Sequence, residues 1–181
     1  MKRHIPILLL SIFVTGCATW TKVGGIYKNT SYNFHAELPW GWMKCQGKDL
    51  FITRDGEFLQ NIWIERIRFD KELPFTKKRF QKDMLASEVA QVEIDNFSSN
   101  KIITNFELIE NIPETINGIN GFKLVYRFRS DDGLKIKKVH YGFLSDDWIY
   151  RIIYTAAEGY YFDKDLESFN KLVETFRLIK K

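Results

Sequence analysis

The chain has 181 residues, 45% of them apolar and 28% charged, which is enough apolar matter for a packed core and excludes a disordered chain. The formal charge of +4 falls to about +2 without residues 1–17, because Lys2 and Arg3 leave and 25 cations then face 23 acids. So small an excess argues against a nucleic-acid partner.

Met1-Lys2-Arg3-His4 is cationic, Ile5 to Val14 is a nearly unbroken apolar run, and Val14-Thr15-Gly16-Cys17 ends it on small residues. A basic start, an apolar middle and a small-residue boundary make a secretory signal. The run is about half the ~20 residues that a membrane-spanning helix needs. Val-Thr-Gly-Cys resembles the lipobox of bacterial lipoproteins. That resemblance implies a signal peptide over 1–17 and a Cys17 that is acylated, as by palmitate, and becomes the mature N-terminus. It implies a protein held on a bacterial membrane and facing the periplasm. One acyl chain anchors only marginally, and two anchor stably. Cys45 is then the second and last cysteine, so no internal disulfide is expected. No His or Asp lies beside it to activate the thiol, and it reads as a small buried hydrophobe.

Residues 18–30 read as a tether, with Gly24-Gly25, Lys22 and Lys28. Stretched at ~3.3 Å per residue, it would keep the domain within about 40 Å of the membrane. Trp20 and Lys22 suit the headgroup region, or are incidental residues of a plain linker. Residues 31–181 read as a single domain. Tyr32 to Leu38 alternates like a half-buried strand and ends at Pro39-Trp40-Gly41-Trp42. Trp42 is assigned to the core and Trp40 to the surface. Asp49 to Arg54 is a short strand, Asp55-Gly56 a turn, and Phe58 to Phe69 a long strand apolar on both faces, hence central and covered by helices on both sides. Thr76 is placed as the cap of a helix to about Asn96, with Phe80, Met84, Leu85, Val89 and Val92 as its apolar stripe. Lys77-Lys78-Arg79 would then oppose the helix dipole, which points either to an anionic partner or to a merely solvated face.

Asn105 to Glu110 reads as a strand and Ile116 to Gly121 as a turn. A meander of Phe122–Arg129, Leu134–Phe143 and Trp148–Thr155 follows, with Ser130-Asp-Asp-Gly133 and Ser145-Asp-Asp147 as its turns. Asp163 is placed as the cap of a last helix, whose stripe is Leu166, Phe169, Val173 and Phe176.

Three parts together resemble the PsbP/Mog1-like superfamily, which includes the DcrB-like envelope proteins. They are Leu38-Pro39-Trp40-Gly41-Trp42, the Asp-Gly hairpin with its long strand, and Trp148-Ile-Tyr-Arg-Ile-Ile-Tyr154 leading to a helix that ends Glu174-Thr-Phe-Arg177. The likeness spans about residues 32–178. It departs from the family at Thr175-Phe176, where Ser-Phe is common. The resemblance implies an α+β fold, an α-β-α sandwich whose mostly antiparallel sheet has about six to seven strands. The family is mostly binding modules, with no catalytic motif and no partner to carry over, and together with the lipobox this makes a non-catalytic, membrane-tethered binding or adaptor module for another envelope component the first expectation.

Signals for chemistry are few. The mature chain has His35 and His140 and lacks His-x₃-His or Cys-x₂-Cys, so no metal or other cofactor is expected. No Gly-x-Ser-x-Gly elbow is present, and the chain is not expected to be an enzyme. Fifteen Phe and eight Tyr either fill a core or line a cavity, and the second would make the protein a carrier or chaperone for an apolar ligand or segment. With four-residue loops at 130–133 and 145–148, residue 127 pairs with 136 and 140 with 153. One meander face then collects Lys123, Arg127, Arg129, Lys138, His140 and Arg151, with no acid among them. That face is expected to bind an anionic surface, such as a headgroup, a glycan phosphate or an acidic protein, unless a helix half covers it and the stems snorkel. Trp40 is the further binding candidate.

Overall fold

The structure is a computed structural model that describes residues 19–47 and 50–179. The signal and Cys17 lie outside the described residues. In chain order the elements are β1 (Trp20–Asn29), β2 (Phe34–Cys45), β3 (Leu50–Thr53), β4 (Gln60–Arg68), α1 (Ala86–Ser98), β5 (Thr104–Ile116), β6 (Ile119–Arg129), β7 (Lys135–Ser145), β8 (Trp148–Ala157), α2 (Tyr160–Thr175) and β9 (Arg177–Leu178). The strands pair in the order β1-β2-β3-β4-β8-β7-β6-β5, with β9 added to β2, and every pairing is antiparallel. The sheet has nine strands rather than six or seven.

Alternation along the strands builds two cores. Ile62 and Ile64 of β4 join Ile152, Tyr154, Val139 and Val125 beneath Phe162, Phe169 and Leu172 of α2. On the opposite face Leu124, Tyr126, Phe128 and Ile136 pack under Val89, Ala90 and Val92 of α1. The central position expected for the long strand holds, since β4 lies between β3 and β8 with nine residue pairs to the latter. Trp42 is fully buried and Trp40 is 76% exposed, as expected. Cys45 is buried with a free thiol.

Four expectations are corrected. Residues 20–29 of the presumed tether are strand β1, paired along β2. Gly24 and Gly25 mark a bulge: Gly25 takes φ 76°, and a Cβ on Gly24 would fall 2.4 Å from the Trp40 ring. Glycine here makes room for an indole rather than loosening a linker.

The helix expected from Thr76 begins at Ala86. Lys77 is in the left-handed region at φ 59°, and residues 69–80 form a strap in which Phe80 N–H donates to the Phe69 carbonyl and Leu73 N–H to the Lys78 carbonyl. Leu73 and Phe80 are buried by the strap rather than by a helical stripe. The helix starts where Glu88 accepts the Leu85 N–H at 2.7 Å. Lys78 pairs with Asp95, Arg79 with Glu72 and Lys82 with Asp147, so the supposed conflict with a helix dipole is absent.

The short strand expected over 105–110 is the thirteen-residue edge strand β5. Pro113 is tolerated in it because an edge strand has one unpaired side. The last helix is capped by Gly159 at φ 90° and not by Asp163. Asp165, inside that helix, is buried against Arg54 at 2.9 Å.

Candidate functional site

The meander register decides which cations meet. The β7–β8 hairpin pairs His140 with Ile153, as expected, through a turn with Asp146 at φ 52°. The β6–β7 hairpin differs by one residue: Arg127 faces Lys137, not residue 136. Gly133, at φ 83°, donates its N–H to the Ser130 carbonyl, while Ser130 N–H donates to the Leu134 carbonyl. Ser130 and Leu134 are thus already paired, and the loop is the three residues 131–133 with a left-handed glycine last. A slip of one residue moves a whole strand's side chains to the other face. The expected cationic face therefore does not exist.

Lys123 and Arg127 lie on the α2 side, opposite Tyr141 and Lys137. Lys123 pairs with Glu110 at 3.1 Å, and Arg127 pairs with Glu107 at 2.9 Å and Glu158 at 3.3 Å. Arg129 shares their side by alternation. Lys138, His140 and Arg151 lie on the α1 side. Trp40 is on β2, where it lines a separate shallow groove with Glu37, Pro39 and Lys171.

On the α1 side the three residues line a cavity of about 340 Å³ between the sheet, α1 and residues 71–75. Its apolar walls are Trp63 and Ile67 of β4, Leu124 and Tyr126 of β6, Ile153 of β8, Ile94 and Phe97 of α1, Phe106 of β5, and Leu73 with Pro74 of the strap. Volume and composition fall in the range of small-molecule sites.

Arg151 forms the buried polar centre. Its Nη1 donates to Glu65 at 3.0 Å and its Nε to Glu93 at 2.7 Å, with Arg151 12% exposed. Its Nη2 has no partner. Burial alone would weaken the cation, but the Glu93 and Glu65 carboxylates outweigh it and hold Arg151 charged. Burial pushes the Glu93 carboxyl above its usual range despite the pull of Arg151.

His140 is 3% exposed, stands edge-on to Phe122 at 5.4 Å, and has an unpartnered Nε2. Burial, then the charges of Arg151 and Lys138, hold its imidazole well below the usual value, so it is neutral at neutral pH. Lys138 is partly buried, with its ammonium 4.8 Å from the Phe97 ring centre and 5.5 Å from that of Phe128. It makes no ion pair among the described residues, and burial brings its pKa down to about 8 against a smaller opposing effect of Glu65.

Glu65 and Glu93 were not singled out from the sequence. Both carry a readable signal. Glu93 falls on the same face of α1 as buried Val89 and Asn96, and Glu65 shares one face of a central strand with Trp63 and Ile67. A carboxylate on an apolar face implies a buried cation. Among the described residues no group of three or more His, Cys, Asp or Glu is arranged to hold a metal, and no helix is long and apolar enough to cross a membrane.

No protein-family profile matches the chain, and no curated protein matches its sequence. Solved structures do match in shape. CyanoP, the cyanobacterial PsbP of Synechocystis, aligns over 94% of this chain and 98% of its own, with a TM-score of 0.58 and 17% identity. The Ran-binding protein Mog1p of Saccharomyces cerevisiae aligns over 88% and 97%, with a TM-score of 0.57 and 10% identity. PA94 of Pseudomonas aeruginosa aligns over 86% and 96%, with a TM-score of 0.54 and 13% identity. Identities this low establish shape alone. The chain thus has the PsbP/Mog1-like fold that its Leu-Pro-x-Gly-Trp opening and its aromatic closing strand resemble.

Proposed function

We propose that the chain is a non-catalytic binding module of a bacterial cell envelope, exported by its first 17 residues, anchored through lipidated Cys17 and facing the periplasm. Its binding element is the cavity beneath α1. The observation that carries this reading is the pair of buried, unpartnered nitrogens, His140 Nε2 and Arg151 Nη2, in one apolar-walled cavity beside the unpaired Lys138. Buried polar groups in proteins are paired in about 90% of cases or more, so two orphans converging on one cavity support a ligand site. This favours the carrier alternative over binding through a charged sheet face.

Native mass spectrometry of the protein taken from its host's membranes in nanodiscs tests the reading. The expected result is a Cys17 N-terminus carrying acyl chains and a small molecule that co-purifies with the folded chain. An intact signal with unmodified Cys17 overturns the anchoring. Absence of any bound molecule, together with no stabilisation by host extract, overturns the cavity as the binding element.

An adaptor role has separate support from Trp40. Its indole is 76% exposed yet fixed over Gly24 and Gly25, and rigid exposed aromatics serve as anchors at protein interfaces.

A further inference from the structure

We infer that the cavity beneath α1 takes a small amphipathic monocarboxylate, its head on Lys138, His140 and Arg151 and its apolar body between Phe97, Phe106 and Trp63. This rests on the reading of the cavity as a binding site and specifies its ligand.

The head group follows from hydrogen-bonding capacity. The Arg151 Nη2 can only donate, and so can the Lys138 ammonium. A ligand that satisfies both brings acceptor oxygens. His140 is neutral, so its Nε2 adds a donor in one tautomer without adding charge.

The charge of the head follows from the carboxylates already present. The four inner charges cancel, Arg151 and Lys138 against Glu65 and Glu93, but Arg151 takes both carboxylates in direct ion pairs, and Lys138 has no ion pair of its own among the described residues; Lys71 stands at the exposed rim. One carboxylate gives Lys138 that partner and adds a single negative charge. A dianion would add two beside Glu93, at a site where burial magnifies repulsion. A carboxylate also makes the shorter, stronger charge-assisted bonds that a neutral amide does not.

The body follows from walls and volume. Phe97 is 5.9 Å from Phe106 between ring centres, and Trp63, 38% exposed, borders the cavity on the β4 side. At ~30 Å³ per water the cavity holds on the order of ten water volumes, the size of a carboxylate with a phenyl ring or a short chain. Lys138, Phe97 and Phe106 are only partly buried, which leaves a route in.

Isothermal titration of the full chain in nanodiscs tests the assignment, with four probes of similar length: 3-phenylpropanoate, 3-phenylpropanamide, 3-phenylpropylamine and the dianion benzyl phosphate. The carboxylate is expected to bind at least tenfold tighter than each of the others. Lys138→Met, which keeps the apolar stem, is expected to weaken the carboxylate most and so to remove its tenfold advantage over the amide. Arg151 is unsuited to replacement because Glu65 and Glu93 would be left buried without a partner. Amide shifts on titration should centre on 136–142 and 93–97, which shows whether the variant is still folded. Tighter binding of the amide, amine or dianion overturns the monocarboxylate and keeps the binding site. Equal carboxylate binding by a folded Lys138→Met overturns the assigned head-group contacts. No heat and no shift with any probe at millimolar concentration overturns the site itself.

Discussion

Trp42 and Trp40 are two residues apart and have opposite fates because Gly41, at φ 81°, turns the chain between them. Trp42→Ala leaves a hole in the α2-side core and should cost about 3–5 kcal/mol in denaturant unfolding. Trp40→Ala removes an exposed ring and should cost less than about 1 kcal/mol. The reverse order would mean that the indole over Gly24 and Gly25 is the structural one. Lys138 gives a sharper test, because its cost depends on pH. Burial lowers its folded pKa to about 8, whereas an unfolded lysine titrates near ~10.4. Between those values the unfolded chain binds more protons than the folded one, so stability rises with pH across that window. The groups around it do not mask the effect. Arg151 stays charged, His140 stays neutral, and the buried Tyr126 hydroxyl is pushed well above its ordinary value. Lys138→Met should therefore be more stable than wild type at pH 7, and the advantage should shrink by pH 10. Chemical denaturation at the two pH values measures it, and a constant difference would show that the ammonium is solvated.

At the scale of elements, the pairing of β6 with β7 places the site. Gly133 ends a three-residue loop in the left-handed region, and that loop fits the register in which Arg127 faces Lys137. Gly133→Ala should cost roughly 1–2 kcal/mol, the penalty of a Cβ at such a φ, without moving Arg127 from Lys137, because buried Val125, Val139 and Tyr154 hold the register. Long-range amide contacts between β6 and β7 check the pairing, and a shift to 127 opposite 136 would show that the turn rather than the core sets it. Asp131-Asp132-Gly133 already carried this loop in the sequence: two residues suited to a type I turn, then a glycine. Reading a four-residue loop instead put Lys123 and Arg127 on the wrong face. The elements with strong alternation, β4, β7 and β8, were legible because both of their faces are buried. Of the edge strands, β1 was read as a tether and β5 only in part, over 105–110, since one side of each lacks a partner and their residues are mostly exposed or half-buried. Half of the site was legible for a related reason. Alternation groups Lys138, His140 and Arg151 once two strands are paired. Glu65 and Glu93 join them only through the β4–β8 pairing and the docking of α1, which local pattern does not specify.

For the whole molecule, the two helices divide the work. α2 and the β2 half of the sheet enclose an aromatic core of Phe34, Phe143, Tyr150, Phe169 and Phe176. α1 covers the other face less tightly and leaves a polar hollow. The start of β1 at Trp20 has a consequence for how such a body operates. With Cys17 lipidated, only Ala18 and Thr19 separate the lipid from a sheet strand, a reach of about 10 Å at ~3.3 Å per residue instead of the length of a tether. The molecule is then a fixture rather than a float on a line. A body so held would not sweep the space away from its own membrane. On that premise the start of β1 stays within about 10 Å of the bilayer, and encounters with other molecules embedded in that membrane follow lateral diffusion rather than the swing of a linker.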